Sequence, residues 1–230
     1  MDERDRVVRD LVRRTLDAAE QAGPDAVAPV VQAGHPVLRT VAHPFDGQLD
    51  AAELTALLAL MHRTMRAAPG VGLAAPQIGL PLAVAVVEDP GGGDGPAAQA
   101  RERGPLPYRV LVNPTYTPAG EPVVGFYEGC LSVVGYQAVV VRPRAVHLAA
   151  SDETGARVDE VVTGWPARIV QHETDHLRGT LYLDRALTRS LSATDAWGAH
   201  WGTEPVPREA ARALGFELPT ARGGAGEESR

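Results

Sequence analysis

The stretch QHETDH, residues 171–176, constrains this chain most strongly. In a helix, residues four apart lie on one face about one turn apart, so the imidazoles of His172 and His176 can reach the same metal ion. Glu173, which lies between them, can approach a metal-bound water without binding the metal itself. The pattern predicts a helix that supplies two metal ligands and a general acid/base. A third protein ligand is still needed.

The helix around this motif is predicted to be largely buried. Ile169, Val170 and Leu177 are apolar neighbours of the motif. Pro166 fits the first turn of the helix, and Gly179 fits the position just after its end. Buried imidazole and carboxyl groups need partners, because an unpaired buried polar group is costly. A metal ion would satisfy them, whereas an exposed helix that carries the motif by chance would need no ion.

Three sources of the third ligand can be compared. The extended zinc-protease pattern HExxHxxGxxH keeps its glycine here, but its last ligand position holds Tyr182, a poor replacement for a neutral imidazole. Glu204 and Glu209 lie downstream in a proline-rich tail that offers no helical context. Upstream, Cys130 would complete a set of one Cys and two His with an open position for water. A lone Cys is also often a buried small hydrophobe, so spacing alone does not decide.

Composition and charge argue against several classes of protein. The formal net charge of −7 disfavours a sequence-independent binder of DNA. The apolar runs are too short to cross a membrane, and the N-terminal stretch MDERDRVVRDLVRR is charged where a secretory signal would be apolar. The single Cys excludes an intrachain disulfide. We therefore predict a cytoplasmic protein that binds neither DNA nor a membrane.

Periodicity predicts three helices and at least four strands. The helices are expected at residues 2–22, 50–69 and 166–179, and the strands at 82–88, 108–113, 137–142 and 145–151. Residues 89–107 are rich in Gly, Pro and charge, and they are predicted to form a mobile surface loop that buries little. The last residues, GGAGEESR, are expected to be disordered. Helices dispersed among strands indicate a compact α+β domain.

Three blocks follow the order and approximate spacing of the signature motifs of peptide deformylases. They are GVGLAAPQIG (70–79), EGCLS (128–132) and QHETDHL (171–177). HPVLR (35–39) and the pair NP (113–114) also resemble positions that are usual in that family. The chain thus resembles the peptide deformylase family, which removes the formyl group from N-formylmethionine at the start of newly made proteins.

The resemblance implies a fold and a division of the chain. The fold would be α+β, a single compact domain of antiparallel or mixed β-sheets packed around a central helix that carries HExxH. The catalytic domain would cover residues 34–187. An N-terminal helical extension would precede it at 1–33, and a partly disordered C-terminal extension would follow at 188–230.

The resemblance also implies roles for individual residues. The metal ligands would be Cys130, His172 and His176, and Glu173 would be the general acid/base. The side-chain amide of Gln77 and the Leu131 N–H would stabilise the oxyanion that develops on the formyl group. The metal would be one divalent ion, Fe²⁺ in bacterial members, although Zn²⁺, Ni²⁺ or Co²⁺ also suits one Cys and two His.

Substrate contacts follow from the same resemblance. The backbone around Val71, Gly72 and Gly129 would hold the peptide as an added strand. Val71, Phe126 and Ile169 would be walls of the pocket for the methionine side chain. The partners would be N-formylmethionyl nascent chains and, near its exit tunnel, the ribosome. An HExxH metallopeptidase and a non-catalytic homologue that binds nascent chains are the alternative functions.

The chain departs from the family pattern after the second motif. Val134 stands where the family commonly has Pro, and Tyr136-Gln137 stand where some members place an arginine that contacts the substrate. These departures concern how the peptide beyond methionine is held rather than the chemistry. On the motif helix, the resemblance implies that Asp175 pairs with Arg142 or Arg144 and braces the ligands.

Overall fold

A computed structural model describes residues 3–120 and 122–219 of the chain, so the predicted disorder of GGAGEESR lies outside the described residues. The helices are α1 (Glu3–Ala22), α2 (Ala51–Ala67), α3 (Pro96–Arg101), α4 (Gly164–Leu177), α5 (Thr194–His200) and α6 (Arg208–Leu214). The strands are β1 (Gly72–Ala74), β2 (Val84–Asp89), β3 (Leu106–Pro118), β4 (Val123–Cys130), β5 (Val133–Pro143), β6 (Ala145–Ser151), β7 (Arg157–Thr163) and β8 (Ser192–Ala193).

The strands form two antiparallel sheets around α4. One sheet has the order β1-β2-β3-β6-β7, and the other has the order β4-β5-β8. The motif helix α4 contacts all five strands of the first sheet, and Arg168 and Gln171 on α4 bond to backbone carbonyls of the second. The predicted α+β fold with a central HExxH helix is confirmed. Both β1 and β4 lie at the edge of their sheets, so each keeps one side free for another strand.

Helix α2 forms because its sequence provides a hydrogen-bonded cap at its N-terminus and an apolar face that packs in the core. The Asp50 carboxylate accepts from the Glu53 N–H, and the Glu53 carboxylate accepts from the Asp50 N–H, each at 2.9 Å. The leucines and methionines of this helix pack in the largest hydrophobic cluster of the described residues. Helix α1 packs on α2 through Val8 and Val12, and its Arg9 pairs with Glu53 at 3.0 Å. The N-terminal segment is therefore docked on the core.

The segment between β2 and β3 differs from its prediction. It contains the short helix α3, and Ala98 on that helix is buried. Asp89 at its start is fully buried and receives two hydrogen bonds from Arg103, at 2.8 and 3.0 Å. The expectation that residues 89–107 bury little is wrong here, because this bidentate ion pair closes the two ends of the segment on each other.

The C-terminal segment also has more structure than its composition suggests. Helices α5 and α6 cover one face of the β4–β5 hairpin, where Ala210 packs with Tyr127 and Val139. Glu209 lies in α6, and the Glu204 carboxylate accepts hydrogen bonds from the first N–H groups of that helix. The expectation that these glutamates lack a helical context is therefore wrong.

The proposed borders at 33/34 and 187/188 stay predictions. In the described part of the chain, no helix is both long and apolar enough to cross a membrane.

Candidate metal centre

The end of the motif helix is set by a glycine. Gly179 follows α4 with a φ of +72°, a left-handed conformation that favours glycine. A Cβ at this position would stand 2.8 Å from the Arg39 carbonyl carbon. Only glycine therefore leaves room at position 179 for the backbone at the end of HPVLR. The helix end is thereby held against the segment that precedes α2. This contact fixes the last turn, which carries His176.

Cys130 lies where the metal site predicted from the helix needs its third ligand. It is the last residue of β4, immediately before the turn into β5. The ligand atoms of Cys130, His172 and His176 all lie within 4.8 Å of one another, and the Sγ–Nε2 distance from Cys130 to His176 is 3.3 Å. Among the described residues, this is the only cluster of three or more His, Cys, Asp or Glu side chains close enough together to hold a metal ion. Tyr182 instead stacks on the His172 ring, and its hydroxyl donates to the Tyr136 carbonyl.

The donor set fits a borderline-soft divalent metal. One thiolate and two imidazoles are three protein ligands, which is the number that catalytic sites use when they keep a position open. The thiolate also lowers the net charge of the loaded site. Glu173 Oε2 is buried beside these three residues with no hydrogen-bond partner, and a water held by the metal would supply one.

Glu128 orients one of the two histidines. Its Oε2 lies 3.0 Å from His172 Nδ1, which leaves the Nε2 of that ring for the metal. Glu128 also accepts from Arg142 at 2.7 Å and from Arg168 at 2.6 Å. Burial opposes its ionisation, but Arg142 and the hydrogen bond to His172 hold the pKa of Glu128 well below its usual range. This carboxylate therefore stays charged behind the ligand.

Asp175 braces the other side of the helix. It pairs with Arg142 at 2.7 Å, accepts from the Tyr116 hydroxyl at 2.8 Å and lies 2.9 Å from Arg185 Nε. The predicted buried pair therefore forms with Arg142. Arg144 pairs with Glu102 at the protein surface instead. Through Arg142, Asp175 and Glu128 belong to one buried network behind the metal ligands.

Glu173 is placed for proton transfer. Burial raises its pKa to about 7, and the main opposing effect is the positive charge of His172. The Glu173 side chain lies against Gly72 on the edge strand β1, where a Cβ would stand 2.3 Å from Glu173 Oε1. Gly72 is thus required by the close packing of the carboxylate. A carboxyl group whose pKa is near neutrality can both accept and release a proton.

Gln77 is held with its amide near the thiolate. Its Oε1 accepts from the Ala74 N–H at 2.9 Å, which turns its Nε2 toward Cys130 Sγ at 3.6 Å and Ser132 Oγ at 3.4 Å. Gln77 is buried, so its amide has little freedom to turn away. Leu131 lines the same cavity, and its side chain packs against Gly70. The two predicted oxyanion donors therefore lie next to the ligand Cys130.

A cavity of about 600 Å³ opens in front of these residues. Of the predicted substrate contacts, it is lined by Val71, Gly72, Gly129 and Ile169. Phe126 does not line it. Phe126 lies on the same face of β4 as Glu128, two positions farther from Cys130, and the guanidinium groups of Arg101 and Arg168 cover its ring.

Sequence reasoning missed several lining residues. Arg168 lies one turn and Trp165 two turns before His172 on the same face of α4, so helical spacing could have found them. Arg101 comes from the segment that was expected to be a loop, and Trp197 comes from α5. No sequence pattern connects either residue with the metal helix. Their positions depend on how these two segments pack.

The family model for polypeptide deformylase matches residues 27–191. The chain belongs to the peptide deformylase family. Peptide deformylase 1 of Streptomyces coelicolor is 56% identical over 91% of this chain and 94% of its own length. Peptide deformylase of Bifidobacterium adolescentis is 48% identical over 91% of this chain and 95% of its own. The family assignment makes this deformylase a metal-dependent hydrolase, and the Cys/His₂ triad can hold the metal.

A solved structure agrees with the fold. The class I type b peptide deformylase from Acinetobacter baumannii, solved with Met-Ala-Ser bound, superposes with a TM-score of 0.62 at 34% identity. The match covers 70% of this deformylase and 99% of that chain. Helices α1, α5 and α6 lie outside the residues that the family model matches.

Proposed function

We propose that this deformylase removes the formyl group from N-formylmethionine at the start of newly made proteins, using one Fe²⁺ ion held by Cys130, His172 and His176. The observation that carries the proposal is the buried carboxyl of Glu173 beside this triad, at the wall of a cavity that can admit a peptide. A metal triad without such an acid/base would fit a structural site equally well.

The chemistry divides between the metal and the side chains. When bound, the ion would lower the pKa of a water and polarise the formyl oxygen. Glu173 accepts a proton from the attacking water. The oxygen of that water adds to the formyl carbon, the carbon–nitrogen bond breaks, and formate leaves. Glu173 then returns the proton to the departing methionine amine. The second water proton stays on the product as formic acid, which ionises to formate in solution, so atoms and charge balance.

Two donors are assigned to the oxyanion. The Gln77 amide would donate to the formyl oxygen as negative charge develops on it, and the Leu131 N–H would be the second donor. The hydrogen bond from the Ala74 N–H fixes the orientation of the Gln77 amide before substrate arrives. Preorganised donors of this kind lose little energy to reorganisation during the reaction.

The substrate peptide would pair with edge strands. The cavity lies along β1 at Gly72, with Val71 just before this strand, and along β4 at Gly129, and both strands are terminal in their sheets. A formyl peptide can therefore add as a strand by main-chain hydrogen bonds that are independent of its sequence. The Acinetobacter baumannii relative was solved with Met-Ala-Ser bound, which supports a short peptide as the ligand.

The identity of the ion follows from the resemblance to bacterial deformylases, and the ligands alone accept Zn²⁺, Ni²⁺ or Co²⁺ as well. Anaerobic purification followed by metal quantification tests it: we expect about one Fe²⁺ per chain and loss of activity in air. A zinc-loaded enzyme of undiminished activity and air stability would contradict this assignment.

We also propose action on nascent chains in the cytoplasm at the ribosome, which co-sedimentation with ribosomes would test.

The substitution Glu173→Gln tests the function. We expect formate release from formyl-Met-Ala-Ser to fall by about 10²–10⁴-fold while bound metal stays stoichiometric, because this residue does not ligate the ion. Glu160→Gln, on the exposed strand β7, is the matched control. Cleavage of unformylated Met-Ala-Ser would favour the metallopeptidase alternative. A fully metal-loaded wild type that releases no formate would favour the non-catalytic homologue.

A further inference from the structure

Arg101 stands out among the residues that line the cavity. No described residue accepts a hydrogen bond from it or forms an ion pair with it, and its Nε is buried without a partner. Its guanidinium lies 5.1 Å from the Trp165 ring centroid and 5.8 Å from that of Phe126. Burial, reinforced by the charge of Arg103, lowers the pKa of Arg101. Arg101 is partly buried, and a cation in such a position usually has a partner, so its unpaired state needs an explanation.

The neighbouring cations already have partners. Arg168, which also lines the cavity, pairs with Glu128 at 2.6 Å. Arg103 pairs with the buried Asp89 at 2.8 Å. Among the described residues that line the cavity, Arg101 is therefore a cation whose hydrogen-bond donors are free for a ligand.

The protein holds Arg101 in place from both sides. The next residue, Glu102, pairs with Arg144 through two hydrogen bonds at 2.5 and 2.6 Å. The Glu102 carbonyl also accepts from the Trp165 N–H at 3.4 Å, which joins α3 to the start of α4. A Cβ at Gly164 would stand 2.7 Å from Glu102, so the two segments are in close contact. Arg101 is thus fixed against Trp165 at the cavity wall.

The motif helix locates Arg101 relative to the metal site. Trp165, Ile169 and His172 occupy one face of α4, and all three line the cavity. With a rise of about 1.5 Å per residue, Trp165 lies roughly 6 Å along the axis from Ile169, and about 10 Å from His172. A substrate with its formyl group at the metal would direct its first side chain past Ile169. An extended side chain of methionine length spans roughly one helical turn, so it would end near Trp165.

Building on the proposed function, we propose that Arg101 and Trp165 form the end wall of the pocket for the first substrate side chain, and that Arg101 selects side chains that end in a hydrogen-bond acceptor. The sulfur of methionine is a weak acceptor and is polarisable, so it can contact both the indole and the guanidinium. Methionine sulfoxide carries a polar oxygen at the same position. Norleucine has a similar shape and no acceptor. The expected order of preference is methionine or its sulfoxide before norleucine.

Three formylated tripeptides test this, differing only in the first residue: methionine, methionine sulfoxide and norleucine, each followed by Ala-Ser. The readout is kcat/KM for formate release by the metal-loaded full chain. We expect Arg101→Leu to lower kcat/KM for the sulfoxide on the order of tenfold relative to norleucine, because a hydrogen bond to a charged donor is lost. Arg101→Lys should retain part of the preference. Arg157→Leu removes an arginine that is 80% exposed and is the control.

The outcomes separate the two proposals. If Arg101→Leu changes kcat/KM for all three peptides by the same factor, selection by Arg101 is wrong. The same conclusion follows if the wild type cleaves the sulfoxide on the order of tenfold more slowly than norleucine. That wild-type comparison decides the matter even if Arg101→Leu does not fold, which thermal unfolding would show. A wild type that releases formate from none of the peptides would instead contradict the proposed function.

Discussion

The carboxylate of Glu173 lies directly against the α-carbon of Gly72, so closely that a Cβ at position 72 would stand 2.3 Å from Glu173 Oε1 and 2.7 Å from its Cγ. The general acid/base and the strand that would hold the substrate are thus in direct contact. The glycine in GVGLAAPQIG is explained by this packing. Its φ is not in the left-handed region, so steric room is the reason rather than backbone conformation.

Gly72→Ala is therefore expected to impair catalysis. The added methyl group must displace the Glu173 carboxylate, and a small misplacement of a catalytic group can lower the rate on the order of 10²-fold. Metal content should stay at the wild-type value, because the atoms nearest a Cβ at this position belong to Glu173 and not to a proposed ligand. Formate release and metal quantification would check both statements. Gly198→Ala is the control, because a Cβ there meets nothing within 4 Å; equal activity of the two variants would contradict the prediction.

Glu128→Gln should weaken metal binding although Glu128 is not itself a proposed ligand. The neutral amide can still accept from His172 Nδ1 but lacks the negative charge that strengthens this hydrogen bond, and loss of such a carboxylate partner typically lowers metal affinity by about 10–100-fold. Competition with a chromophoric chelator would measure the change in Kd. The variant should also lose about 3–5 kcal/mol of unfolding free energy, because Arg142 and Arg168 would remain buried without their shared carboxylate. Unchanged affinity would show that Glu128 serves packing alone.

Gln77→Ala should lower the rate of deformylation. Removal of one oxyanion donor typically lowers kcat by about 10²–10³-fold. The effect should fall mainly on kcat, because this donor strengthens its hydrogen bond only as charge develops. Steady-state kinetics with formyl-Met-Ala-Ser would separate kcat from KM. Gln21→Ala, at the exposed end of α1, should behave as the wild type. A change confined to KM would assign Gln77 to substrate binding instead.

Docking of α1 should depend on pH through Glu53. Although burial opposes it, the hydrogen bonds from Arg9 and from the Asp50 N–H lower the pKa of Glu53 to about 2, from an ordinary value of 4.5. A lowered pKa in the folded state stabilises the protein above pH 4.5, and this contribution is lost as the pH falls from about 4.5 toward 2. Urea unfolding of the wild type and Glu53→Gln should differ most at pH 7. The difference should shrink below pH 4.5, and a constant difference would contradict the assignment.

Predictions from local pattern succeeded where one element contains the whole signal. Strand 145–151 has the predicted bounds, and the capping pair Asp50 and Glu53 marks the start of α2 as expected. The strand β4 was missed, although it carries Cys130, because its sequence VVGFYEGC has two glycines and no regular alternation. Segment 89–107 was read as a loop because composition does not show that Asp89 and Arg103 pair. That pairing is a tertiary contact.

The sequence by itself determined the chemical groups: His172 and His176 on one helical face, Glu173 next to His172, and three motifs that together indicate the family. Helical periodicity is a local property, so it can be read from the chain. Tertiary structure decided which atoms meet. It brought Cys130 to the helix, placed Glu128 behind the ligand, turned Phe126 away from the cavity and set Arg101 at its wall. These positions depend on packing between segments distant in sequence, which residue order alone does not specify.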